Sequence, residues 1–304
     1  MRGEEHLWGV LNDKLETLSA TNHLTEAIRV GQSALEIAKR SFGAGDARLA
    51  FSYEKLGLLH QQNGNRSGAK AYLVNAHRLL ARMRPADDQA VFRSSRRLGQ
   101  LCNELGHTEE AIDFFEQAVA AAPQVPGLPF SDLGALLNNV ALMCRKAGRA
   151  TAAEPYYLRA LQIYESQLGP EHPDVASVLN NLGVFYTNEK RFTEAEQVHL
   201  RALAIREKAF PASHPDIAQS KCNLAVVYHS RGDYERASEL YRASLQAWEE
   251  ATAKPPEEYE VVAANYADLL RSLGKARKAH ALENRARKKQ IGRASCRERV
   301  CLLV

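Results

Sequence analysis

No run of about 18 apolar residues occurs anywhere in the 304-residue chain, so no segment is expected to cross a bilayer as a helix. The opening stretch, Met1 to Trp8, lacks the basic-then-apolar order of a secretory signal, and a cytoplasmic location is the expectation. Catalytic signatures are missing too. There is no G-x-x-x-x-G-K-[ST], no G-x-S-x-G, no H-E-x-x-H and no C-x-x-C, which leaves no enzyme and no cofactor to expect. Charged residues at 25% and hydrophobic ones at 45% suit an ordinary globular chain.

What the chain does have is a period of 42 residues, and a fixed period decides architecture before any single residue can. Stepping by 42 gives Ala27, Ala69, Ala111, Ala153, Ala195, Ala237 and Ala279. Seven residues on, the series reads Ala34, Ala76, Ala118, Ala160, Ala202, Ser244 and Ala286. Twelve residues before the first it reads Leu15, Gly57, Gly99, Ala141, Gly183, Ala225 and Ala267. Small residues at fixed places mean helices that cross too closely for larger side chains. Between Gly169 and Phe210, apolar residues fall at helical spacing from Val175 to Tyr186, lapse over Asn188 to Arg191, and resume from Ala195 to Ile205. That pattern predicts a helix, a tight turn and a second helix. The turn series, Asn22, Gly64, Gly106, Gly148, Lys190, Gly232 and Gly274, fits a left-handed helix end, with Lys190 the poor member.

Counting Ala176 as place 1 of a unit, Leu179, Leu182, Gly183, Tyr186, Ala195 and Ala202 match the signature places, and the unit resembles the tetratricopeptide repeat. The 42-residue length, the L-N-N-L-G-V-F-Y run and the H-P-D between units are similar to the kinesin-light-chain type. The resemblance implies an all-α, right-handed solenoid (superhelix) of about seven antiparallel helix pairs, with repeats near 8–49, 50–91, 92–133, 134–175, 176–217, 218–259 and 260–290 forming one domain over 1–290. His172-Pro173-Asp174 and His214-Pro215-Asp216 read as joints, proline and aspartate both suiting a helix first turn. Cys102 and Cys144 occupy one inward place in successive repeats. Such places lie roughly 10 Å apart, beyond the ~7 Å reach of a disulfide, so free thiols are expected.

Segment 291–304 breaks the pattern and resembles a translated sequencing adapter, so it is read as non-native. It carries Arg293, Arg297 and Arg299 against Glu298; without it the formal charge falls from +4 to +2. No polar capping helix precedes it, which raises the alternative of the sensor portion of a truncated signalling protein whose effector or enzyme domain lay beyond residue 290. The last repeat gathers Lys275, Arg277, Lys278, Arg285, Arg287, Lys288 and Lys289 against Glu283, read chiefly as a solvated face.

Function is expected on the first helices. Place 6 lies about 200° from the tight seam and carries Lys55, Arg97, Asn139, Asn181, Asn223 and Asn265 down the chain. Asparagine forms helix poorly, and an amide offers a donor and an acceptor to a peptide main chain; the other use for these amides is bonding one another or the next helix. Beside them, Leu142, Val184 and Val226 offer apolar contacts and Asn188 another amide. Toward the N-terminal half the lining is basic, with Lys55, Arg93, Arg97 and Lys146, so an acidic segment would be drawn there. The kinesin-light-chain resemblance implies that this concave face binds peptide segments of partner proteins, with Asn139, Asn181, Asn223 and Asn265 on their backbones. Nucleic acid is disfavoured, since the lining lacks aromatics on which bases stack. The expectation is a non-catalytic protein-interaction scaffold.

Overall fold

A computed structural model describes the backbone over residues 2–43, 45–83, 87–251 and 256–300, with side chains described within those ranges from residue 3 to residue 288. The side chains of 291–304, and its last four residues altogether, lie outside that description. Among the described residues there are fourteen α-helices, one short 3-10 turn (Ala122–Gln124) and no strand.

The chain falls into two compact units, 1–149 and 150–304. In the first, α1 (Arg2–Ala20) pairs with α2 (Leu24–Ser41), α3 (Ala47–Gln62) with α4 (Arg66–Arg82), and α5 (Asp88–Glu104) with α6 (Thr108–Ala121), followed by α7 (Phe130–Lys146). The second opens with α8 (Ala150–Leu168). It continues with the pairs α9 (Pro173–Asn188) and α10 (Phe192–Ala209), α11 (Pro215–Ser230) and α12 (Tyr234–Ala251), α13 (Glu257–Ser272) and α14 (Ala276–Val300). Within each unit the second helix of one pair packs on the first helix of the next.

The 42-residue series explain this packing. All seven alanines from Ala27 to Ala279 are fully buried, and so is Ser244, whose hydroxyl donates to the Ala218 carbonyl at 2.7 Å. At the glycine series the helices touch. A Cβ on Gly57, Gly99 or Gly183 would meet Leu73, Phe115 or His199 at 2.6, 2.7 and 2.5 Å, distances that real Cβ atoms do not tolerate. Leu73, Phe115 and His199 stand at one place of the 42-residue series, which also holds Tyr157 and Tyr241.

All seven turn residues are left-handed, including Asn22 at φ 61° and Lys190 at φ 60°. Lys190 therefore obeys the rule its side chain disfavours. Its N–H donates to the Thr187 carbonyl and that of Arg191 to the Tyr186 carbonyl, the two bonds of a Schellman end, so the backbone motif imposes the conformation. Lys190→Gly relieves a left-handed cost of about 1–2 kcal/mol while giving back some unfolded-chain entropy. The variant is expected to be roughly 0.5–1 kcal/mol more stable, read from urea unfolding midpoints.

The joints add a detail absent from the sequence reading. His172 and His214 cap α9 and α11, each ring Nδ1 accepting the N–H of Asp174 or Asp216 at 3.2 Å, with Pro173 and Pro215 at the first helical position. A second repeated tie joins successive pairs: Tyr186 donates to Glu154 at 2.9 Å and Tyr228 to Glu196 at 2.7 Å, and Arg191 and Arg231 pair with the same two carboxylates. Cys102, Cys144 and Cys222 are buried and unbridged.

Candidate functional site: a polar pocket on the first-helix face

In the second unit the expected asparagines occupy successive first helices, α9, α11 and α13. Asn181, Asn223 and Asn265 are half-buried rather than fully outward, because α9 lies against α11 and α11 against α13 along this face. Part of the ladder is therefore used internally. Asn223 Oδ1 accepts from Gln219 Nε2 at 2.8 Å, and its Nδ2 donates to Asn180 Oδ1 at 2.8 Å, tying α11 to α9. Asn265 hydrogen-bonds the Cys222 thiol, whose pKa burial nonetheless pushes up to about 11. Since each amide carries two N–H groups and two lone pairs, these bonds leave Asn223 with one donor and one acceptor site to offer. Asn180 and Gln219 lie outside the place-6 series and were invisible to it.

Four of the expected residues meet in one place. Val184, Asn188, Asn223 and Val226, with Thr187 and His199, line a pocket of about 190 Å³ between α9 and α11. Val184 and Val226 are half-buried walls and Asn188 is exposed. His199 comes from α10 and is fully buried. Among the described residues neither ring nitrogen meets a hydrogen-bond partner at full geometry; the neighbouring Gly183 carbonyl, which accepts from Thr187 Oγ1 at 2.8 Å, lies close enough to act on the ring. Burial holds the imidazole pKa down at about 4; the Gly183 carbonyl opposes this and the positive charge of Arg206 adds to it. Arg206 is itself buried, its Nη1 donating to Ser220 Oγ at 2.7 Å and to the Asp216 carbonyl at 3.0 Å. The 42-residue series could have flagged His199, the one histidine among Leu73, Phe115, Tyr157 and Tyr241.

The first unit holds the remaining expected residues, and they are less concentrated. Asn139, Arg93 and Lys146 are exposed and Leu142 is half-buried. Lys55 pairs with Glu16 at 2.7 Å and sits 5.0 Å from the Phe51 ring, and Arg97 stands 3.6 Å from Glu54. Two of the four basic residues thus have acidic neighbours on first helices of the same unit, which weakens the attraction for acidic ligands that a count of cations implied. A depression of about 290 Å³ lies beside Lys55, bounded by Leu15, Leu58 and Gln62 among others. No helix among the described residues is long and apolar enough to cross a membrane.

A family model described as tetratricopeptide repeat matches residues 132–208, 174–250 and 216–289, together more than half of the chain, and a second model so described matches 97–125. The chain belongs to the tetratricopeptide repeat family. No curated protein matches it. Among solved structures, this tetratricopeptide protein is similar to BtubC (BKLC) from P. vanneervenii at 27% identity, covering 74% of this chain and 90% of that one, with a TM-score of 0.53. A tetratricopeptide repeat protein from Parabacteroides merdae matches at 18% identity, 79% of each chain and a TM-score of 0.58, and shows the fold alone. A putative kinesin light chain from Podosopora anserina with nearly identical repeats matches at 18% identity over 81% of this chain and 97% of that one, with a TM-score of 0.36. The all-α tetratricopeptide fold expected from the small-residue series is the one found.

Proposed function

We propose that this tetratricopeptide protein is a non-catalytic, cytoplasmic interaction scaffold, and that the first-helix face of its second unit binds an extended peptide segment of a partner. The observation that carries this reading is the convergence of Val184, Asn188, Asn223 and Val226 on one open pocket. Apolar walls with unspent amide donors and acceptors at the edge suit an extended chain, which presents alternating side chains and main-chain N–H and C=O groups. Asn181 lies one helical turn before Val184 and Phe185 on α9, so a chain entering the pocket passes it.

The test uses peptides selected for binding to the full chain from a displayed random library. Asn181→Ala removes one or two hydrogen bonds of about 1 kcal/mol net each, so affinity is expected to fall roughly 5- to 30-fold with helical circular dichroism unchanged. Asn223→Ala strips partners from Asn180 and Gln219, so its loss of affinity would include a share from the tie between α9 and α11. Unchanged affinity in a folded Asn181→Ala protein would sink the asparagine contact.

A further inference from the structure

We infer that the pocket over His199 is a side-chain subsite of the peptide face, one that takes a neutral group able both to donate and to accept a hydrogen bond, a carboxamide or a hydroxyl on an apolar stem. This rests on the peptide-binding reading above and adds the chemistry of one anchor residue.

His199 stands at a place that elsewhere holds core residues. Leu73 and Phe115 occupy equivalent positions against Gly57 and Gly99 in the seam between the two helices of a pair, and Tyr157 and Tyr241, at the same place, are fully buried. An imidazole there has the shape of a small aromatic, and it fits against Gly183 only because that residue has no Cβ. Packing alone would be served by phenylalanine. Histidine instead brings two ring nitrogens to full burial with no partner among the described residues, an arrangement that costs free energy unless something else bonds them. His199 lines the pocket, so a ligand group that entered there and parted the side chains over the ring would be the one to bond them.

The lining decides the class. A buried neutral imidazole offers one donor and one acceptor nitrogen. Around it, Asn223 has one unspent donor and acceptor, Asn188 is an exposed amide, and Thr187 Oγ1 keeps its lone pairs after donating to Gly183. Among the described residues no carboxylate, lysine or arginine lines the pocket, and the nearby Arg206 is already bonded to Ser220 and the Asp216 carbonyl, so neither an ammonium nor a carboxylate would find a free counter-charge there. A carboxamide or hydroxyl matches the mixed set of donors and acceptors, while Val184 and Val226 cover its stem.

The experiment measures, by fluorescence anisotropy on the full chain, peptides selected from the random library, against wild-type protein and His199→Phe. Phenylalanine mimics the Phe115 place, and circular dichroism confirms that the variant folds. The expected result is one peptide position, bearing glutamine, asparagine, serine, threonine or tyrosine, whose exchange for an apolar residue of like shape weakens wild-type binding about tenfold and leaves His199→Phe binding unchanged. Equal losses in both proteins would overturn the subsite while leaving peptide binding intact. A coupled position bearing aspartate, glutamate or lysine would overturn the ligand class. Failure to select any peptide would remove the peptide-binding reading and this inference with it.

Discussion

Taking the wild-type protein from pH 7 to pH 4 is expected to cost it about 3 kcal/mol more unfolding free energy than a His199→Phe variant loses over the same interval. In the folded chain the His199 pKa is held at about 4, against 6.5 for the exposed side chain. Between those values the unfolded chain takes up a proton that the folded one refuses, so folded stability falls as the pH drops through the window and levels off below it. Above pH 6.5 both states are neutral and the difference disappears. The gap, at about 1.4 kcal/mol per pH unit, supplies the magnitude. His77 and His229 are also pushed down by burial, but they are common to both proteins and cancel in the comparison. Urea unfolding followed across this pH range checks it; parallel pH profiles for the two proteins would mean that the folded state accommodates the imidazolium.

Tyr241→Ala is expected to lower stability by about 3–5 kcal/mol, the usual range for emptying a buried aromatic site. Tyr241 is fully buried in a core cluster of the second unit, stacked on Tyr266 with centroids 5.6 Å apart and edge-on to His229 at 6.4 Å. Tyr241→Phe separates the ring from the hydroxyl. That hydroxyl has no partner among the described residues, and burial pushes its pKa up strongly, so its removal is expected to leave stability within about 1 kcal/mol of wild type or to raise it. Urea midpoints for the two variants decide the matter. Because each pair leans on its neighbours, the alanine variant should also expose the α11 and α13 amides to hydrogen exchange before those of the first unit.

The two expectations concern one repeat place that is filled differently along the chain. At Phe115 the place is filled by a hydrocarbon ring, at Tyr241 by a ring with a stranded hydroxyl, and at His199 by a ring whose heteroatoms border a cavity. Phe115 and His199 share a shape requirement, since each faces a glycine twelve residues ahead of the invariant alanine. The polar requirement is local.

Much of this molecule was legible in one dimension. A small residue every 42 positions states that two helices must touch there, whatever surrounds them, so helix pairs, turns, joints and the buried alanines followed from spacing. Even the misfit Lys190 obeyed its place, because backbone hydrogen bonds of the turn outweigh one residue's left-handed penalty. Periodicity also brought Val184, Asn188, Asn223 and Val226 to one face, where they line a common pocket. What it could not decide was how that face spends its polar groups. A series taken at one place compares Asn181 with Asn223, whereas the bond that forms runs from Asn223 to Asn180, one position off, because neighbouring helices are offset along their axes. Likewise the cations at Lys55 and Arg97 meet Glu16 and Glu54, which belong to other places of the repeat. Hydrogen bonds and ion pairs depend on ångströms and angles between elements, and only the tertiary structure supplies those; it is also what set His199, a second-helix residue, beneath a pocket built by first helices.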